Sequence, residues 1–406
     1  MALTAPRCNG FAQDCSERIK RFESVATFSL NIFRHVVNTI SIQNEGDKPL
    51  RAVNKSSPHY ASLDLLRGVA ALCVLLYHTD FLFDARGIIL PKAYLCVDFF
   101  FALSGFVIAA NYSLEARPTI FFKQFLVARV ARLWPLLAAS VAIGFFVMGA
   151  KLYQDFHYVD TLPIIGSAVF NGLMLPSFFQ PYSIDRLYIF NGAAWSIFFE
   201  LMINIVYFIF FRKLLSKYLL IVLLLSWCAL FWSAFSNQGL DVGWSSQNFI
   251  YGFARVFYSF ILGLVIFSGR VFDRFRISAF WLVLMAILFV FTLQFDLGWI
   301  YDLTIITLVF PVILIVSVNS DVVGNTKAIA HFVGDISYSV YLLKTPVIVL
   351  FSGLSVVFWG TKIGVFTPTA GFVFLMLFIP CCYFCWRYFE IPSQGAIKAV
   401  FMNPRK

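Results

Sequence analysis

The chain has 406 residues, of which 60% are hydrophobic, 18% aromatic and only 13% charged, with a mean hydropathy of +0.81. Too little polar surface is available for a soluble domain of this size, so the expected fold is all-α, a polytopic bundle of transmembrane helices. The net charge of +10 is not gathered into a separable basic domain, which argues for cytoplasmic loops and contact with anionic lipid rather than for nucleic acid.

Residues 1–60 carry eight Lys and Arg against five acids, with no apolar run placed to make them a secretory signal. They read as a short N-terminal cytoplasmic tail, with Phe22–Ile42 either disordered or lying on the membrane surface. A transmembrane domain then occupies 61–392, and 393–406 form a cytoplasmic C-terminal tail. Apolar segments long enough to span run over 63–83, 91–111, 131–150, 191–211, 217–235, 250–268, 279–297, 303–319, 337–357 and 367–386. The segment 161–178 is apolar but broken by Pro163, Gly166, Gly172 and Pro176. If it does not cross, the basic connections 112–132, 212–217 and 270–276 all share one side with both termini, so the positive-inside rule favours ten spans and a re-entrant or interfacial 161–178. No internal repeat is visible, which weakens a transporter of the inverted-repeat kind. Of the eight cysteines, Cys381, Cys382 and Cys385 cluster without His or carboxylate neighbours, so no metal site is expected.

Ionisable groups inside spans are costly and are retained for function by default. Arg67 and His78 both lie in the first span, eleven residues apart, on nearly the same face and roughly 16 Å apart along a helix. Asp98 in the second span lies at a depth comparable to His78, and an Asp98–His78 contact would fix the imidazole tautomer of a general base. Glu200, at mid-depth in the fourth span, is a third ionisable group. Arg129 and Arg132 share a helix face at the start of the third span. With Arg67 they suit a phosphorylated donor arriving from the cytoplasm.

Five elements in order resemble the integral-membrane acyltransferase family 3. Leu63-Asp64-Leu65-Leu66-Arg67-Gly68 through Tyr77-His78 is similar to its opening signature, arginine and histidine separated by ten residues. Val97-Asp98-Phe99-Phe100-Phe101-Ala102-Leu103-Ser104-Gly105-Phe106 is similar to its second-helix motif, and Arg129-Val130-Ala131-Arg132-Leu133-Trp134-Pro135 to its basic stretch. Trp195-Ser196 with Glu200, and Gly334-Asp335-Ile336-Ser337-Tyr338-Ser339 through Leu343, complete the set over roughly residues 60–392. Two departures stand out: Lys344 occupies a position where the family commonly has histidine, and no hydrolase-like domain follows the last span. Pro392 after Glu390 reads as a helix stop.

The resemblance implies a transferase that moves an acyl group, often acetyl, from cytoplasmic acyl-CoA to a hydroxyl of a sugar or lipid-linked glycan. No bound cofactor is implied; acyl-CoA is a co-substrate. Arg67, Arg129 and Arg132 would hold the donor phosphates. His78, oriented by Asp98 and influenced by Glu200, would deprotonate the acceptor or itself be transiently acylated. Trp195 would stack on the acceptor sugar, with Asp185 and Arg186 as hydrogen-bonding partners. The expected location is the bacterial inner membrane, multi-pass, both termini inside. A proton-coupled transporter would also set Arg, His, Asp and Glu in mid-membrane and stays open as the alternative.

Overall fold

The computed structural model describes residues 60–85, 87–155, 161–179, 185–214, 216–270, 277–320, 322, 324–359 and 368–402. The expected N-terminal tail therefore lies outside the described residues. The described chain is a helical bundle with one isolated bridge, Ile277 to Ser320. In chain order the helices are α1 (Ala61–Thr79), α2 (Cys96–Tyr112), α3 (Phe122–Asp155), α4 (Thr161–Gly172), α5 (Ala194–Ile209), α6 (Ser216–Asn237) and α7 (Phe249–Ser268). There follow α8 (Ala279–Thr292), α9 (Trp299–Thr304), α10 (Phe310–Val318), α11 (Gly324–Trp359), α12 (Thr369–Cys385) and α13 (Ile391–Met402).

Among the described residues, eight helical stretches are long and apolar enough to cross a membrane, and they match eight of the ten expected spans. The other two, α5 with 16 residues and α8 with 14, are shorter than a full hydrocarbon crossing, for which about 20 residues are needed. The interrupted segment forms α4, whose 12 residues extend roughly 18 Å and cannot span alone. It is tied down at its end instead: Ser167 Oγ donates to the Phe179 carbonyl at 2.7 Å, and Trp134 Nε1 donates to the Gly172 carbonyl at 2.9 Å.

Two close helix crossings organise the bundle. Gly105 on α2 faces the Phe260 carbonyl, and Gly263 on α7 faces the Ala102 carbonyl, so a Cβ at either position would collide with backbone. This reciprocal contact of small residues lets two helices approach where apolar lipid offers no hydrophobic drive for association. Gly68 on α1 and Gly334 on α11 make a second crossing, the first against Val333 and the second against Asp64. Aromatic packing fills the space between, with the Phe99 ring 4.9 Å from Phe289 and 5.2 Å from Phe310.

Three of the prolines within the helical stretches are accommodated by two devices. Pro346 interrupts α11 and removes the N–H that would have bonded to the Leu342 carbonyl. Asn191 supplies the replacement, its Nδ2 donating to that carbonyl at 3.0 Å and to Ser140 Oγ at 2.7 Å. At the other two sites a π turn stands immediately upstream of the proline: Ile305–Val309 before Pro311, and Trp386–Glu390 before Pro392. A wider turn absorbs the missing hydrogen bond within the ladder. The helix consequently runs on through Pro392 to Met402, and the stop expected there is not realised.

Candidate active site

The expected site residues divide between two places. Arg67, Arg129, Arg132 and Glu200 line one cavity of about 110 Å³, together with Ser104, Ser196, Ser337, Tyr338 and Tyr341 and the apolar side chains of α2. His78, Asp98 and Trp195 are not among its lining residues.

The cavity is assembled by the crossings above. Arg67 follows the crossing on α1, and its Nη2 donates to Asp64 Oδ1 at 2.5 Å and toward the Gly334 carbonyl at 3.4 Å. Arg129 reaches across from α3 to Glu200 on α5, with Nη2 to Oε1 at 3.2 Å, and the Ser104 hydroxyl donates to the same oxygen at 3.3 Å. Tyr338 is fixed by donating its hydroxyl to the Leu133 carbonyl at 2.5 Å. The Nε–H groups of both Arg67 and Arg129 are buried and have no acceptor. Three guanidiniums thus line one cavity, with Asp64 bonded to Arg67 and Glu200 to Arg129, and the Nε–H of Arg67 and Arg129 stays unclaimed. A phosphate or a carboxylate, each able to accept two parallel N–H bonds, satisfies that arrangement.

At the cavity's far end the Ser196 and Tyr341 hydroxyls lie 2.8 Å apart. Ser196 also donates to the Ala193 carbonyl at 3.1 Å, so the shared proton comes from Tyr341.

His78 sits at the C-terminal end of α1, exposed, with Nδ1 2.9 Å from the Val74 carbonyl. A carbonyl only accepts, so the proton resides on Nδ1 and Nε2 keeps its lone pair. The expected Asp98–His78 contact is not present. Asp98 is fully buried and engages Arg255 instead, with Nη2 to Oδ2 at 2.6 Å and Nε to both oxygens at 3.2 Å. The reason is physical: an unpaired guanidinium inside the bundle would cost several kcal/mol, and the α2–α7 crossing brings the carboxylate to it.

Arg255 completes its shell by donating to the Val242 and Tyr94 carbonyls at 2.9 and 3.1 Å. Its guanidinium also lies over the Trp195 ring, 5.1 Å from the centroid. Trp195 is therefore committed to Arg255, Phe199 and the backbone of Gly243 rather than presented for sugar stacking. Nearby, Lys92 pairs with Asp302 at 2.9 Å and Asp296 at 2.7 Å, and Tyr94 donates to Asp302 at 2.6 Å. Of the exposed-loop candidates, Asp185 receives the Ser246 hydroxyl at 2.5 Å and backbone N–H at 2.9 Å.

Arg255 was missed as a functional-site neighbour, although it carries the same signal as Arg67, a guanidinium inside an apolar span. Ser196 and Tyr341 lie within motifs already singled out, but they stand 145 residues apart on different helices, so the meeting of their hydroxyls was not legible.

The acyltransferase-3 family model, an acyltransferase domain, matches residues 60–387. Protein 2 in the picA locus of Rhizobium radiobacter is 36% identical over 171 residues, covering 38% of this chain and 84% of that protein. No solved structure matches. With a single family model extending over nearly the whole described bundle, the chain belongs to the acyltransferase-3 family of membrane acyltransferases.

Proposed function

We propose that the protein transfers an acyl group, acetyl foremost, from acyl-CoA to a hydroxyl of a cell-surface saccharide or lipid-linked glycan. It would do so in a bacterial inner membrane with both termini cytoplasmic. The observation that carries this reading is the convergence of Arg67, Arg129 and Arg132 on one cavity with unclaimed Nε–H donors. The cavity is small beside the roughly 300–1,000 Å³ of a pocket that encloses a drug-sized ligand. It suits the slender acyl-bearing arm of the donor, with the nucleotide and its phosphates held at the arginine-lined mouth.

His78 acts as general base through Nε2, and the Val74 carbonyl takes the orienting role once expected of Asp98. The acceptor oxygen attacks the thioester carbonyl as its proton passes to His78. The tetrahedral intermediate then expels the coenzyme A thiolate, which recovers that proton. Glu200 holds Arg129 and Ser104 in register for the donor, a positioning role. The separation of Arg67 and His78 by roughly 16 Å along α1 requires an extended arm between them.

The test uses protein in nanodiscs with radiolabelled acetyl-CoA and cell-envelope glycan, wild type beside Arg67→Ala and His78→Ala. The expected result is glycan-dependent label transfer, reduced about 10²–10⁴-fold in His78→Ala. Transfer that survives His78→Ala removes the proposed base. Proton-coupled solute flux with no acyl-CoA consumption would favour the transporter.

A further inference from the structure

Lys344 has no part in the scheme above, yet its setting is unusual. It is 1% exposed, and no carboxylate lies within ion-pair distance of it among the described residues. Its Nζ makes one hydrogen bond, to the Tyr341 carbonyl at 3.1 Å, and sits 4.1 Å from the centroid of the Tyr341 ring. The ring face helps to tolerate a buried ammonium. One acceptor nevertheless leaves two of three N–H donors unclaimed. The side chain therefore neither snorkels, nor pairs with an acid, nor reaches the arginine-lined cavity.

Its location follows from the α1–α11 crossing. Gly334 meets Asp64 close to Arg67, and Lys344 lies ten residues, roughly 15 Å, further along α11. His78 lies eleven residues, roughly 16 Å, beyond Arg67 along α1. Both groups lie ten or eleven residues beyond the crossing in chain direction, on two helices that pack against each other. Tyr341 stands between Gly334 and Lys344 along α11, and its hydroxyl meets Ser196 in the lining of the cavity. On the acyl-transfer reading, an arm threaded from the cavity toward His78 would pass Tyr341 and then Lys344, three residues further along α11.

We propose that Lys344 is a second catalytic residue, which donates Nζ–H to the thioester carbonyl oxygen as that oxygen becomes an oxyanion. The inference rests on the acyl-transfer reading above. As the acceptor oxygen bonds to the carbonyl carbon, the C=O π pair moves onto oxygen next to Nζ and the hydroxyl proton moves to His78 Nε2. Collapse returns the electron pair, breaks the C–S bond and sends the proton to the departing thiolate. Lys344 transfers no proton in either direction. A fixed donor at the point where charge develops accelerates the chemical step without tightening donor binding.

The experiment compares wild type with Lys344→Met, Lys344→Gln and Lys344→Arg in nanodiscs. It measures thermal stability, coenzyme A affinity by calorimetry, and kcat and donor KM for acetyl-CoA with the glycan that supports wild-type turnover. The expected result is about a 100-fold or greater fall in kcat for Lys344→Met and Lys344→Gln. Coenzyme A affinity and donor KM stay within threefold of wild type, and Lys344→Arg recovers part of kcat. Wild-type kcat in the neutral variants overturns the inference and leaves the acyl-transfer reading standing. So does a loss of stability or coenzyme A binding that runs in step with kcat, or failure of both neutral variants to fold, because either makes Lys344 a packing residue. No turnover in wild type overturns the acyl-transfer reading, and this inference with it.

Discussion

Removing either member of the buried Asp98–Arg255 pair leaves the other charged in a low-dielectric interior. Arg255→Met or Asp98→Asn alone should therefore destabilise the protein by about 3–5 kcal/mol. Replacing both together, as Asp98→Leu with Arg255→Met, should recover most of that stability, since a well-packed apolar pair avoids the desolvation cost. The double variant also separates two roles for Asp98. If Asp98 only compensates Arg255, acyl transfer returns with stability, as thermal melts and a transfer assay on the same preparation would report. If the folded double variant stays inactive, Asp98 has a part in the chemistry that its hydrogen bonds do not indicate. The ionisable residues themselves were plain in the sequence, because charge inside an apolar span is rare. Their partners were not. Asp98 was matched with His78 because their helices are neighbours in sequence, whereas Arg255 reaches it through a crossing 157 residues away.

At the scale of the elements, small residues and prolines decide the geometry. Gly263 presses on the Ala102 carbonyl, and Ala102 lies two residues from Ser104, which bonds Glu200 at the cavity. Gly263→Ala should push α7 away from α2 and cost about 1–3 kcal/mol, the usual penalty for overpacking. Donor KM should rise along with the loss in melting temperature, because α2, on the other side of the widened crossing, carries Ser104 and a wall of the cavity. A variant that melts like wild type with unchanged KM would show that this crossing can open without affecting the site. The apolar runs made the helices legible as elements. What they concealed was the handling of proline: Asn191 read as the first residue of an apolar span, and its task of capping the Leu342 carbonyl opposite Pro346 depends on a helix 151 residues later. Pro392 was read as a stop because proline lacks an N–H, but the preceding π turn lets the helix continue.

At the scale of the whole molecule, the buried ionic groups form two layers. Arg67, Arg129, Arg132 and Glu200 make one layer around the cavity. Asp98, Arg255, Lys92 and Asp302 make the other, tying α2, α7 and α9 together near the end that carries His78. The first layer keeps guanidinium donors unclaimed, and the second spends its charges on internal pairs. That difference is the ground on which we propose a binding role for the first and a bracing role for the second. The class of the fold and the first layer were readable from hydropathy and from motif spacing, since both are local properties. The bracing layer was not, because it depends on which non-consecutive helices touch. The most direct measurement on the central claim is calorimetric titration of coenzyme A into the nanodisc-embedded protein, wild type beside Arg129→Ala and Arg67→Ala. The account predicts saturable binding in wild type, weakened about 10–100-fold by either substitution, as loss of a charge-assisted phosphate contact implies. Binding of equal strength in all three proteins, or none in folded wild type, would contradict it.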